Sequence, residues 1–243
     1  MGVELLLQTL LPAFVAGVIG WWRPSAFWWV AGVAVWLTIG WASSWYWWPT
    51  KGTQWLPFAF WVPAVAALLP KVAGRVVHFV LITGVFLLAL WALLSRYPEA
   101  LLGLLLCWLW LAGRETRDLS TGLGMAAGAS QLAIVVAIDG SLLLAQSAGA
   151  MAALAGLLWL VGLRRGISDR GMIGAYVLLL TLCWQFVPMD LWVVALALVP
   201  PLLEQLLKAG GQGAWRASTA SLGSALVLGG LTLWLIWPEA SLY

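Results

Sequence analysis

Few residues in this chain of 243 are of types that do chemistry, and their spacing narrows what that chemistry would be. The one histidine, His78, has no companion cysteine or acidic cluster along the chain, which argues against a metal site. Cys107 and Cys183 each sit inside an apolar run and read as small hydrophobes. The topology below places them near opposite surfaces, too far apart to bridge. No paired carboxylates, nucleophile elbow or phosphate-cradling loop is present, and Gly210-Gly211-Gln212-Gly213 lacks the lysine and strand such a loop needs. Glu204 and Lys208, four residues apart, read as an ion pair along one helix. No catalytic residue is assigned, an enzyme is the less favoured class, and the sequence leaves any cofactor unknown.

A second set of polar residues lies inside apolar runs, where polarity hints at function. Ser130 and Gln131 fall mid-segment, Gln146 and Ser147 in an outer half, and Gln185 near an outer end. Together with Asp139 and Asp190 at outer turns, they would line one outward-facing polar cavity. Pro200-Pro201 should break the helix that carries it, because each proline removes a backbone donor. Carbonyls freed at membrane depth are tolerated only against protein or water. No acid or lysine falls at mid-membrane, which weighs against a proton-driven pump and a retinal protein.

These groups are positioned by elements that composition makes plain. Hydrophobic residues are 63% of the chain, charged ones 9%, and the mean hydropathy is +0.98. A soluble domain carries roughly 25% charge, so the expected solvent is lipid. The net charge of +3 does not indicate nucleic acid, because the basic residues lie between apolar runs and form no aromatic-interleaved patch. The frame is Thr121 to Leu163, 43 residues with Asp139 as the one charge and arginines on either side. A span takes about 20 residues, so this stretch is a helical hairpin with its turn at Asp139-Gly140-Ser141.

Ten spans follow, at about 3–22, 26–48, 55–69, 76–94, 99–112, 121–138, 141–163, 172–187, 191–207 and 218–237. The expected fold is an all-α polytopic transmembrane bundle, a single membrane domain with both termini on the outer side. Ten of the twelve Lys and Arg residues then face inward, and only Lys51 and Arg96 face out. The third and fifth spans are short of the roughly 17–25 residues usual for a crossing. Met1-Gly2-Val3-Glu4 lacks a positive leader, so the first span is expected to be retained. Leu6 stands where a myristoylation signal needs Ser or Thr. Ten spans divide into two halves of opposite entry, as an inverted repeat requires. Fourteen of the twenty tryptophans precede residue 111, however, so the halves differ in composition.

Tryptophans are expected as interfacial anchors, Trp21, Trp22, Trp28 and Trp29 on the inner side, Trp45, Trp47, Trp48 and Trp55 on the outer. Trp36 and Trp61 lie deeper and are candidates for contact with a pigment, quinone or lipid. Small residues recur four apart at Ala13/Gly17, Ala16/Gly20, Gly124/Gly128, Gly149/Ala153 and Ala220/Ser224, marking spans one, six, seven and ten as internal packing helices. Two functions fit. One is a permease for a small, weakly charged or lipid-like solute; the other is a non-catalytic subunit or assembly factor of a larger membrane complex. Expected partners are membrane lipids and other membrane subunits, not nucleic acid. The expected location is the inner (cytoplasmic) membrane of a bacterium.

Overall fold

A computed structural model describes residues 2–94, 97–113, 121–138, 141–165, 170–187 and 190–236. Ten α-helices account for most of them, and no strand occurs among the described residues. The helices are α1 Gly2–Trp22, α2 Phe27–Ala42, α3 Leu56–Ala66, α4 Lys71–Leu94, α5 Leu101–Gly113, α6 Gly122–Ile138, α7 Leu142–Arg165, α8 Arg170–Phe186, α9 Leu191–Ala209 and α10 Ala214–Ile236. Each lies within or around one of the ten apolar segments. Five stretches are long and apolar enough to cross a membrane: Pro24–Ala42, Lys71–Leu94, Leu142–Leu163, Leu191–Ala209 and Ala214–Ile236. Asp139, Arg96, Arg114 and Arg117, with the last seven residues, lie outside the described residues.

Several boundaries differ from the apolar runs. α2 ends at Ala42, short of Trp48. The Ser43 amide closes the last helical turn on the Ile39 carbonyl (2.9 Å), and its hydroxyl donates to the same oxygen (2.8 Å), a side-chain bond of the kind found at helix ends. The chain then runs without helix to a short 3-10 turn at Gly52–Trp55, where Gln54 Oε1 accepts from the Thr50 amide (2.7 Å) and the Lys51 amide (3.1 Å) and fixes the turn into α3. α4 begins at Lys71, five residues before Val76, because Pro70 sets its start and accepts from the Gly74 amide at 2.7 Å. An apolar run ends at its first charge; a helix need not.

The packing centres on α8. Every residue from 171 to 183 is buried, and α8 touches α3, α4, α5, α6, α7 and α9. A helix apolar on all sides belongs in such a place. α1 packs on α2 and α7, α2 also on α3 and α7, and α6 on α7, α9 and α10. The small-residue faces of α1 and α6 are buried, Gly17 lying against Leu157 and Gly20 against Phe27. α10 is the exception. It packs only along Ala217, Ser218, Ser221 and Thr232, while Ala220 is exposed and Leu226 and Trp234 are more than 70% exposed. It is a peripheral helix rather than the internal one expected.

Candidate functional site

Glu204, Lys208, Ser218 and Ser221, with Gln131 and Thr232 further along, gather where α6, α9 and α10 meet. α9 runs through Pro200 and Pro201 as one continuous helix and is not broken there. Pro201 cannot donate to Ala197 four residues back, so that carbonyl loses its helical partner. The Tyr176 hydroxyl of α8 donates to it at 2.6 Å, deep in the core. The Pro200 carbonyl accepts from Ser221 of α10 at 2.8 Å. The missing helical donor at Ala197 is thus replaced by a side chain from a neighbour, and the helix needs no gap.

α6 can reach this point because it has no side chains in the way. A Cβ on Gly124 would stand 2.5 Å from the Pro201 Cα, and one on Gly128 would strike the Tyr176 hydroxyl and the Ala197 carbonyl. The glycine pair thus brings two backbones together at the proline step.

One turn further along α9, Glu204 is fully buried. Its Oε2 accepts from the Gly124 amide at 2.6 Å; its Oε1 accepts from Lys208 Nζ at 2.6 Å and Ser218 Oγ at 2.6 Å. Gly124 lies in the first turn of α6, where amides have no partner within their own helix. The carboxylate therefore caps α6 from another helix while holding α10, and the favourable end of the α6 dipole faces its charge. The expected Glu204–Lys208 pair is present, but it is one arm of a knot joining three helices. Trp110 of α5 joins the same region, donating to Gln205 Oε1 at 2.8 Å and packing edge-on against Tyr176.

Two turns toward the other end of α6, Gln131 reaches across to α10. Its amide nitrogen donates to Thr232 Oγ1 at 3.2 Å, and Thr232 in turn donates to the Leu228 carbonyl at 2.8 Å. The Gln131 oxygen is buried without a hydrogen-bond partner. Gln131 also lines a pocket of about 440 Å³ between α6 and α10, together with Ala127, Ile134, Leu222, Leu226, Gly229 and Leu233. Ser130 also lines it, its hydroxyl donating to the Ala126 carbonyl at 2.9 Å.

Of the residues expected to share one outward cavity, Ser130 and Gln131 line this pocket; Gln146, Gln185 and Asp190 are not in its walls. Gln146 is buried in α7 with its oxygen lacking a partner. Ser147 bonds back to Leu143 of its own helix, and Gln185 is half-buried near the end of α8. Asp190, exposed just before α9, accepts from Trp192 Nε1 at 2.9 Å. Asp139 lies outside the described residues. Among the described residues no group of three His, Cys, Asp or Glu side chains comes together.

The tryptophans divide. Trp22, Trp29, Trp45, Trp47 and Trp48 are exposed and Trp21 half-buried, whereas Trp28 and Trp55 are packed in the core. Trp28 is held there by Phe27, edge to face, and Trp55 by Phe58 and Trp48. Trp36 donates to the Tyr46 carbonyl at 3.3 Å and Trp61 to the Trp29 carbonyl at 3.0 Å, the latter ring filling the notch at Gly32. Both indole N–H groups are thus satisfied by backbone carbonyls of the protein. Sequence reasoning missed Tyr176 and Ser218. The available signal was the missing donor at Pro201, which requires a hydroxyl or amide on some facing helix.

Compared with known protein families, with curated proteins and with solved structures, the chain has no match.

Proposed function

We propose that this is a multi-pass integral membrane protein of a bacterial inner (cytoplasmic) membrane, with ten spans and both termini outside. On this reading it acts as a permease for a small, weakly charged or lipid-like solute. Five helices long and apolar enough for a crossing support the membrane setting. The observation that carries the functional reading is the pocket between α6 and α10, where Ser130 and Gln131 interrupt an otherwise apolar lining. Its 440 Å³ falls within the roughly 300–1,000 Å³ of small-molecule sites. Its rim includes exposed Ile134 and Leu226, so a lipid-like solute would enter sideways from the bilayer.

The test is transbilayer movement of a fluorescent glucosylceramide, an uncharged hydroxyl-rich lipid, in vesicles containing the purified protein. Wild type is expected to speed its movement and Gln131→Leu to abolish the gain. Equal rates with and without protein would end the permease reading. Tags at both termini, probed in intact cells with an impermeant reagent, test the sidedness; protection of either tag contradicts it.

A second reading, a non-catalytic subunit of a larger complex, is favoured by α10 and the Trp45–Trp48 loop. Trp47 is 96% exposed and Trp48 71%. Such a subunit would co-purify with stoichiometric partners in mild detergent, and a lone monomer would count against it.

A further inference from the structure

One row of residues along α4 passes from charge to hydrocarbon. Lys71, Arg75, Phe79 and Thr83 stand four apart and so share one face of the helix. The first two line a pocket of about 430 Å³ with Ala66, Leu69, His78 and Phe79, where α3 ends and α4 begins. Gly74 makes that corner tight, since a Cβ there would stand 2.5 Å from the Ala66 carbonyl. Phe79 and Thr83 line a second pocket of about 580 Å³ between α4 and α5, with Val80, Leu105, Trp108 and Leu109. Phe79 is thus a wall common to a basic end and an apolar trough. Within the trough Trp108 donates to Thr83 Oγ1 at 3.0 Å and Thr83 to the Phe79 carbonyl at 2.6 Å. Its polar groups are spent on one another, and hydrocarbon makes up the rest of its lining.

Lys71 and Arg75 are both exposed, and neither meets a carboxylate among the described residues. No acidic side chain lines their pocket. The adjoining row on α4 is Val72, Val76 and Val80, 74%, 60% and 64% exposed. Such a bare apolar row belongs against acyl chains, so the two cations beside it stand at the edge of the hydrocarbon. From this we infer that pocket and trough together bind one anionic phospholipid. Its phosphate sits at Lys71 and Arg75, and one acyl chain runs past Phe79 into the α4–α5 trough. A zwitterionic lipid would bring an ammonium toward the same two cations and bind less well. A soluble phosphate would meet the charges but leave the trough and the valine row uncovered. The inference rests on the membrane setting proposed above and is independent of the permease reading.

The experiment places the full chain in phosphatidylcholine nanodiscs with a trace of phosphatidylglycerol or phosphatidylcholine carrying a diazirine in one acyl chain. Labelled residues are located by peptide mass spectrometry. The phosphatidylglycerol probe should label α4 and α5 around Phe79 and Trp108 at least roughly tenfold more than the phosphatidylcholine probe, as two cations at a lipid surface provide. Lys71→Gln with Arg75→Gln should erase that preference while leaving the melting temperature unchanged, because both side chains are exposed. Ala112→Trp, which fills the trough and spares both cations, should lower labelling by the phosphatidylglycerol probe. Equal labelling by the two probes in the wild type would overturn the inference. So would a preference that survives loss of both cations, or labelling unchanged in Ala112→Trp. Displacement by inorganic phosphate, beyond that by chloride of equal ionic strength, would assign the pocket to a soluble anion and overturn the lipid. A chain that stays out of the discs would overturn the membrane setting itself, whereas entry without lipid preference overturns only this inference.

Discussion

The Tyr176 hydroxyl stands 2.6 Å from the Ala197 carbonyl, the oxygen that Pro201 leaves without its helical donor. One side chain on α8 thus supplies what the α9 backbone lacks. Tyr176→Phe removes that donor and leaves a buried carbonyl unmatched, a cost of about 1–3 kcal/mol. For a chain of this size the melting temperature should fall by roughly 2–10 °C. Pro201→Ala in the same background returns an amide donor to Ala197. The double variant should therefore melt above Tyr176→Phe alone, and a further fall would refute the compensation.

The approach of α6 to α9 gives a steric prediction. Gly128→Ala would drive a methyl into the Tyr176 hydroxyl and the Ala197 carbonyl, and Gly124→Ala would meet the Pro201 backbone. Each should cost about 1–3 kcal/mol as overpacking. Gly84→Ala, which meets nothing within 4 Å, should be neutral or stabilising by up to about 1 kcal/mol. Thermal melts of the three in one detergent would separate the outcomes.

Glu204 should be among the most sensitive positions. Glu204→Ala leaves the Lys208 ammonium, only 6% exposed, without its carboxylate, and strips the Gly124 amide and Ser218 hydroxyl of their acceptor. Breaking a buried pair in this way costs about 3–5 kcal/mol. Adding Lys208→Ala should cost less than the sum of the single changes, because both single changes break the same Glu204–Lys208 pair. Additive losses would show that the two side chains act independently.

Both cysteines are buried, so neither should react with a maleimide in the folded protein and both should react after denaturation. Rapid labelling of Cys183 in the native state would contradict the central position of α8.

Much of the helical framework was legible, because apolar runs bounded by Pro, Gly and charge mark helices strongly. The small-residue spacing of α6 located its close contact correctly. What escaped the sequence depended on partners distant along the chain. Glu204 and Lys208 are visible as neighbours, but Gly124 is 80 residues from Glu204 and nothing local announces it. The double proline foretold lost bonds, not the tyrosine that replaces the one at Ala197. Trp28 and Trp55 lie in the same boundary clusters as tryptophans that remain exposed, and only tertiary packing separates them. α10 carries the same spacing of small residues as α6, yet its Ala220 is exposed, because the pattern permits close contact without choosing a partner.

The burial of α8 bears on how the chain is assembled. Five of the six helices it touches precede it and only α9 follows. A chain that ends before α8 therefore lacks the helix on which α3 to α7 converge. Truncation just before Arg170 should leave those helices without their common contact, seen as faster proteolysis of the earlier helices than in the full chain.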